Sequence, residues 1–276
     1  MADVETLINP NKSLWEKGDF SRVAETMRQS GEELVASLDI RPGMKVLDLG
    51  CGDGTTALPM ARRGADVLGI DIAANLVAAG NVRARKAGLD NVRFVEGDAS
   101  NLTGIEDSSF DLLVTVFGAM FAPRPYDVAR EMVRVTRPGG KIVMANWIPG
   151  DPTLVAQILR ISAAYTPPPP DGFVSPMTWG EEAEVRQRFE AAGIAPGEIS
   201  FERATWSFRH DGPAVELLDT FRRFYGPAMN AFEAAARNGR DKQLGDELEV
   251  LFTTQNRGVT TTIIPATYLK VTVTKN

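Results

Sequence analysis

The stretch Val46-Leu47-Asp48-Leu49-Gly50-Cys51-Gly52-Asp53-Gly54 constrains this chain more than any other. Apolar residues and one aspartate run straight into glycines at alternate positions. Thr55 to Arg63 follows at once with helix-compatible composition. The pattern predicts a buried strand, a tight turn and the start of a helix. Glycine lacks Cβ, so the turn accepts positive φ and lets a ligand approach the main chain closely. It also presents the unpaired N–H groups of a helix N-terminus. Such an arrangement makes a nucleotide-sized site at the carboxyl end of a first parallel strand.

Spacing narrows the ligand. The dinucleotide fingerprint is G-x-G-x-x-G, whereas here position 55 is Thr55 and the third glycine, Gly54, comes one place early. Asp48 stands two positions before the first glycine. A carboxylate there repels a pyrophosphate, but it can hold an amino group or order the loop.

Further acids recur at successive strand ends. Asp66 to Asp71 reads as a second strand ending on Asp71, nineteen positions after Gly52. An acid at the tip of the neighbouring parallel strand accepts both hydroxyls of a ribose; alternatively Asp71 caps the helix predicted over Ala73 to Lys86. Ile72 would lie against an adenine face. Val92 to Glu96 is a third strand, leading into Gly97-Asp98-Ala99, where Asp98 is either a ligand contact or a turn residue. Ser109 to Phe117 is a fourth strand, apolar enough to be covered on both faces. After a helix over Tyr126 to Val135, the turn Arg137-Pro138-Gly139-Gly140 leads into a fifth strand, Lys141 to Trp147.

Glycine loop, second-strand acid, Gly-Asp-Ala and Pro-Gly-Gly occur in order across residues 41–147. This series resembles the class I S-adenosylmethionine-dependent methyltransferases, in the broad group that includes ubiquinone/menaquinone-biosynthesis enzymes and many small-molecule methyltransferases. Thr136 departs from the leucine usual before the Pro-Gly-Gly turn. The resemblance implies an α/β fold with a doubly wound, Rossmann-like, seven-stranded, mostly parallel sheet, one antiparallel strand, and helical lid insertions. It implies S-adenosyl-L-methionine as cofactor and S-adenosyl-L-homocysteine as product. Cofactor contacts are expected from Asp48, Gly50, Cys51, Gly52, Asp71, Ile72, Ala99 and Phe117, and from Asp98 toward the adenine amine. Trp15 and Phe20, in an N-terminal helical cover, either close over the cofactor or simply pack that segment down.

Composition bounds the rest. At 276 residues a single domain with insertions fits. We divide it into an N-terminal helical cap (1–40), a cofactor-binding core (41–150), and an acceptor-side lid with closing strands (151–276). The net charge of −6 argues against a nucleic-acid partner bound through bulk positive charge. One cysteine leaves no disulfide framework and no cysteine-based metal cluster, and points to a reducing cytoplasm. Met1 to Glu16 lacks the apolar run of a secretory signal, and no stretch is long enough to span a bilayer. A monomer and a homodimer are both compatible.

The N-terminal segment predicts one amphipathic helix or two short ones over Ser21 to Leu38. Beyond 150, helices are predicted over Thr153 to Tyr165, Trp179 to Ala192 and Ala214 to Tyr225. Another runs from the Gly226-Pro227 break to Arg237. Glu198 to Phe208 and Thr261 to Thr274 read as strands, with Pro265 marking an edge or a bulge. A stiff extended loop covers Thr166 to Gly172.

Methyl transfer is an in-line displacement, so a protein must align its partners and exclude water. Met120, Phe121, Tyr126, Trp147 and Trp179 are the expected acceptor walls, with Tyr165, Phe173 and Trp206 further candidates. His210, the only histidine, is either a general base or a surface residue. Arg222, Arg223, Arg237, Arg240 and Lys242 form either a solvated face or an anion site. The expected function is methyl transfer to a small molecule. The alternatives are an enzyme acting on RNA or protein, and a non-catalytic cofactor-binding module. A dehydrogenase is disfavoured by Thr55 and Asp48.

Overall fold

The computed structural model describes residues 11–276; the first ten residues of the expected N-terminal cap lie outside the described residues. Seven strands form one sheet: β1 (Lys45–Leu49), β2 (Asp66–Asp71), β3 (Val92–Glu96), β4 (Phe110–Val116), β5 (Thr136–Trp147), β6 (Ile199–His210) and β7 (Thr262–Thr274). Their order is β3-β2-β1-β4-β5-β7-β6. Neighbours from β3 to β5 run parallel, and β7 lies antiparallel to both β5 and β6. The strand order reverses between β1 and β4, the switch point at which open α/β sheets bind ligands.

The helices are α1 (Lys12–Glu16), α2 (Phe20–Glu25), α3 (Arg28–Ala36), α4 (Ala57–Arg62), α5 (Ala74–Lys86), α6 (Pro125–Val135), α7 (Leu154–Ala163), α8 (Glu182–Ala191), α9 (Ala214–Phe224), α10 (Gly226–Arg237) and α11 (Asp241–Gln255). They cover both faces. Val46, Val67, Val114 and Val143 pack toward Val35, Leu58, Met60 and Ala84 from α3, α4 and α5. Leu47, Leu49, Leu113, Ile142 and Met144 pack into the larger core with Met132, Ile158, Phe189, Leu217 and Phe252 from α6, α7, α8, α9 and α11. Alternate residues of each strand thus serve opposite layers, which explains the unbroken apolar runs.

Several boundaries moved for identifiable reasons. α4 starts at Ala57, two residues later than its composition suggested, so Pro59 falls in the first turn where its missing N–H costs nothing. Pro125 likewise opens α6. Trp179 lies in a 3₁₀ turn, Pro176–Gly180, ahead of α8 rather than inside one helix. Pro265 sits in a central strand, yet only Tyr268 to Thr274 of β7 pair with β5. Further along β7, the N–H of Thr267 bonds Thr153 Oγ1 at 2.8 Å and that of Ile263 bonds Asn256 Oδ1 at 2.9 Å. Pro265 shares that side of the strand, beyond the end of β5, so no ladder bond is lost.

Candidate active site

The site forms where the strands end. Gly50 and Gly52 take φ of +70° and +53°, and the N–H groups of Gly50 and Cys51 both bond Ile70 O, at 2.7 and 3.1 Å. The loop therefore wraps over the end of β2. Gly50 meets Gly118 after β4: a Cβ on Gly118 would come within 2.6 Å of Gly50 Cα. Nothing local in the sequence marks Gly118 for this contact.

Asp71 ends β2 and is 8% exposed. Its Oδ2 accepts the Gly52 N–H at 2.8 Å and its Oδ1 accepts the Ala73 N–H at 2.9 Å. Burial raises its pKa, while those amide bonds pull the other way. Asp48 lies deeper. Its Oδ2 accepts from Thr56 Oγ1 at 2.6 Å, and Oδ1 is buried without a protein partner. Burial pushes its pKa up to about 7, with the Asp71 charge adding to the rise. Burial likewise raises the Cys51 thiol, so this cysteine is a packing residue and not a thiolate nucleophile.

Above the loop lies a cavity with about 930 Å³ of empty space, open to solvent. Its floor and sides include Leu49 to Asp53, Thr55, Thr56, Ile70, Asp71, Ile72, Leu76, Gly97, Ala99, Val116 to Ala119, Phe121 and Ala122. Asn11, Trp15, Phe20, Ala24 and Met27 of the N-terminal segment roof it, and Trp206 of β6 closes one end. Trp15 packs against Phe121 at 4.8 Å and Phe20 at 5.6 Å between ring centres. The roof is tied down at its edges: Lys12 pairs with Glu96, Glu16 Oε1 accepts the Ala74 N–H at 3.1 Å, and Lys17 meets Glu233 at 2.8 Å.

Of the residues singled out from sequence, Trp15, Gly50, Cys51, Gly52, Asp71, Ile72, Ala99, Phe117 and Phe121 line the cavity, together with Phe20 and Trp206. Others do not. Asp48 supports the loop through Thr56. Asp98 is a turn residue whose Oδ1 accepts the Ser100 N–H and hydroxyl at 2.8 and 2.7 Å. Trp147 stands behind Phe117, with ring centres 3.6 Å apart and planes 6° from parallel, and so braces the wall without forming it. Met120 is core at 1% exposure, and Tyr126 faces solvent at 41%. Trp179 is buried beneath the Arg188 guanidinium, 4.6 Å from its ring centre. Tyr165 lies under Arg240, and Phe173 is more than half exposed. Size and proximity to a strand end selected these residues, but the core claims large side chains as readily as a site does. The segment 151–276 contributes Trp206 alone to the lining.

His210 is also elsewhere: its Nε2 lies 3.2 Å from Glu216 Oε2 at the end of β6. The late basic residues are engaged locally, Arg223 with Asp219, Lys242 with Asp246, and Arg222 over the Phe232 ring. One feature had no sequence signal: Phe117 holds φ of +55°, a left-handed conformation rare for a bulky residue, at the cavity wall.

A model of the methyltransferase domain matches residues 47–144. An uncharacterized protein of Mycobacterium tuberculosis, Rv1403c, is 33% identical over 227 residues, covering 82% of this chain and 80% of the relative. The chain belongs to the class I S-adenosylmethionine-dependent methyltransferases. A demethylmenaquinone methyltransferase of Paenarthrobacter aurescens is 38% identical over 114 residues, 41% of this chain and 43% of that protein. The YcgJ protein of Bacillus subtilis shares the fold, with a TM-score of 0.58 at 19% identity over 90% of this chain and 99% of that one. The methyltransferase uses S-adenosylmethionine as its cofactor. No helix among its described residues is long and apolar enough to cross a membrane.

Proposed function

We propose that this methyltransferase acts on a small, neutral, largely apolar molecule, and that the cavity between glycine loop and N-terminal roof holds cofactor and acceptor side by side. The carrying observation is the distribution of charge in the lining. Among the described lining residues Asp53 and Asp71 are the only charged ones, and both lie at the glycine-loop end. Trp15, Phe20, Phe117, Phe121 and Trp206 supply the aromatic remainder.

The walls suit the cofactor. The Asp71 carboxylate at the tip of β2 matches ribose hydroxyls, and Ile72, Leu76 and Ala99 offer apolar surface for an adenine ring. A side chain at Gly52 would meet nothing within 4 Å, so the main chain there lies open to a ligand. Bound S-adenosylmethionine supplies an electrophilic methyl group on a sulfonium. Aromatic faces favour a cation of that kind and keep water from the transfer. Phe117, fixed by Trp147 behind it and by Trp206 at 5.1 Å edge-on, gives one rigid wall for alignment.

Among the described lining residues there is no histidine, lysine, arginine or glutamate. The acceptor atom therefore brings a free nucleophilic electron pair without help from a lining base, as the nitrogen of an uncharged amine does. The absence of lining cations also favours a neutral acceptor body over a polyanion. The relative named a demethylmenaquinone methyltransferase supports the small-molecule class.

Partition of tritium from S-[methyl-³H]adenosylmethionine, incubated with the enzyme and a fractionated cell extract, tests this directly. Label extracted into an organic solvent is the expected result. Label retained on RNA or protein would replace the proposal with a macromolecular acceptor.

A further inference from the structure

We infer that Arg28 is a positioning residue: its ion pair with Asp53 ties the N-terminal roof to the glycine loop, so that holding the cofactor depends on this latch. It rests on taking the cavity as the cofactor site.

Arg28 opens α3 directly after Met27, the last roof residue that lines the cavity. Its guanidinium grips Asp53 with both nitrogens, Nη1 lying 2.8 Å from Oδ1 and Nη2 on Oδ2. Nη1 also donates to Thr55 Oγ1. Asp53 and Thr55 are themselves loop residues that face the cavity. A forked guanidinium on a carboxylate fixes both position and orientation, which a single point charge cannot do.

Asp53 is 2% exposed, so its charge is out of water and depends on protein partners. The second partner is Arg83 of α5, whose Nη1 donates to Asp53 O at 2.5 Å and lies 3.5 Å from Oδ2. Arg83 cannot link loop to roof, because α5 packs on the sheet. Arg28 is the cation that does. The remaining hydrogen bonds between this part of the roof and the sheet run to β6: Ser30 Oγ donates to Ser207 O at 3.1 Å and accepts its N–H at 2.9 Å, while the Arg209 N–H bonds Thr26 O at 2.8 Å. Those bonds anchor the roof without touching the loop.

Trp15, Phe20, Ala24 and Met27 cover part of the cavity, so a ligand of cofactor size bound there lies partly beneath this cover, and movement of the cover governs how readily it leaves. While Arg28 grips Asp53, the same contact holds the loop in shape and the start of α3 over it. Coupling of this kind is reciprocal: a loop stabilised by ligand strengthens the latch by the same factor.

The test is the release rate of S-adenosylhomocysteine from the full chain, measured by stopped-flow displacement, for Arg28→Gln and Arg28→Lys. Truncating one partner of a buried charge pair acts mainly on dissociation. Arg28→Gln is expected to release the ligand on the order of tenfold faster or more, with Arg28→Lys intermediate because it keeps charge and loses the fork. Hydrogen exchange of residues 12–36 in the ligand-bound Arg28→Gln protein should approach that of the ligand-free wild type. Should Arg28→Gln fail to fold, Arg28→Lys carries the comparison. Wild-type release rates in the folded variants, even with a lower melting temperature, would reduce Arg28 to a structural brace and overturn the inference. Failure of the wild-type chain to bind S-adenosylhomocysteine at all would instead refute the cavity as cofactor site.

Discussion

The carboxylate of Asp71 accepts the backbone N–H of Gly52 at 2.8 Å, across nineteen positions of sequence. Its other oxygen takes the N–H of Ala73, which precedes the first turn of α5. One acid thus props the glycine loop, ties down the residue that precedes α5 and faces the cavity. α5 has no side-chain cap, so the bonds of Asp71 brace the loop and the turn before the helix, and a carboxylate has lone pairs left for a ligand.

This double duty sets what its removal should do. Asp71→Ala is expected to weaken S-adenosylhomocysteine binding by roughly ten- to a hundredfold, the loss of about 1.5–3 kcal/mol for hydrogen bonds to a charged group. The ligand-free protein should also melt several degrees lower, since two backbone N–H groups lose their acceptor. Calorimetry and thermal melts on the same samples check both. Unchanged affinity with a lower melting point would leave Asp71 as a structural brace alone.

Asp48 makes stability depend on pH. In the fold it keeps its proton up to about pH 7, whereas its unshifted value is 3.8. Between those values the native state binds more protons than the unfolded chain, so stability falls as pH rises through that window. Asp71 is raised too and adds a slope of the same sign. Asp48→Asn removes the buried charge and keeps an oxygen for the Thr56 hydroxyl. It should be more stable than wild type at pH 8, by up to about 2–4 kcal/mol, with a flatter profile from pH 5 to 7.5. Melts across that range check this, and a wild-type melting point that climbs from pH 5 to 8 would contradict it.

Gly118→Ala should damage loop and protein together. The new Cβ would press on Gly50 main-chain atoms at 2.5–2.6 Å, and backbone on backbone has nowhere to go. A cost of about 1–3 kcal/mol or more is expected, along with loss of S-adenosylhomocysteine binding. Gly197→Ala is the control, since a Cβ there meets nothing within 4 Å. Its melting point and affinity should match wild type.

The N-terminal roof and the proline loop should behave differently when ligand binds. Residues 12–27 roof the cavity and should gain protection from hydrogen exchange when S-adenosylhomocysteine binds. The loop after Pro167–Pro170 contributes nothing to the lining, and Phe173 and Val174 are exposed. Asp171 to Val174 should exchange equally with and without ligand. Protection of that loop on binding would make it part of the cover and contradict this expectation.

Much of the glycine-loop end of the cavity was legible because its signals are local. Alternating glycines and an acid closing a short strand each carry their own conformational consequence. The acceptor end was not legible for the opposite reason. Whether Trp147 or Trp206 faces the cavity depends on Phe117 adopting positive φ and stacking over Trp147, which no spacing announces. The grip of Arg28 on Asp53 and the contact of Gly50 with Gly118 are likewise long-range pairings of residues that look ordinary alone. Pro265 was read as marking an edge or a bulge, and the edge exists only where β7 outruns β5.

The central claim is that this cavity is built for S-adenosylmethionine and not for a dinucleotide. Titration calorimetry of the full chain with S-adenosylhomocysteine, and separately with NAD, tests it most directly. One-site binding of S-adenosylhomocysteine, abolished or strongly weakened in Asp71→Ala, with no measurable heat from NAD is the predicted result. Tighter binding of NAD than of S-adenosylhomocysteine would contradict the account.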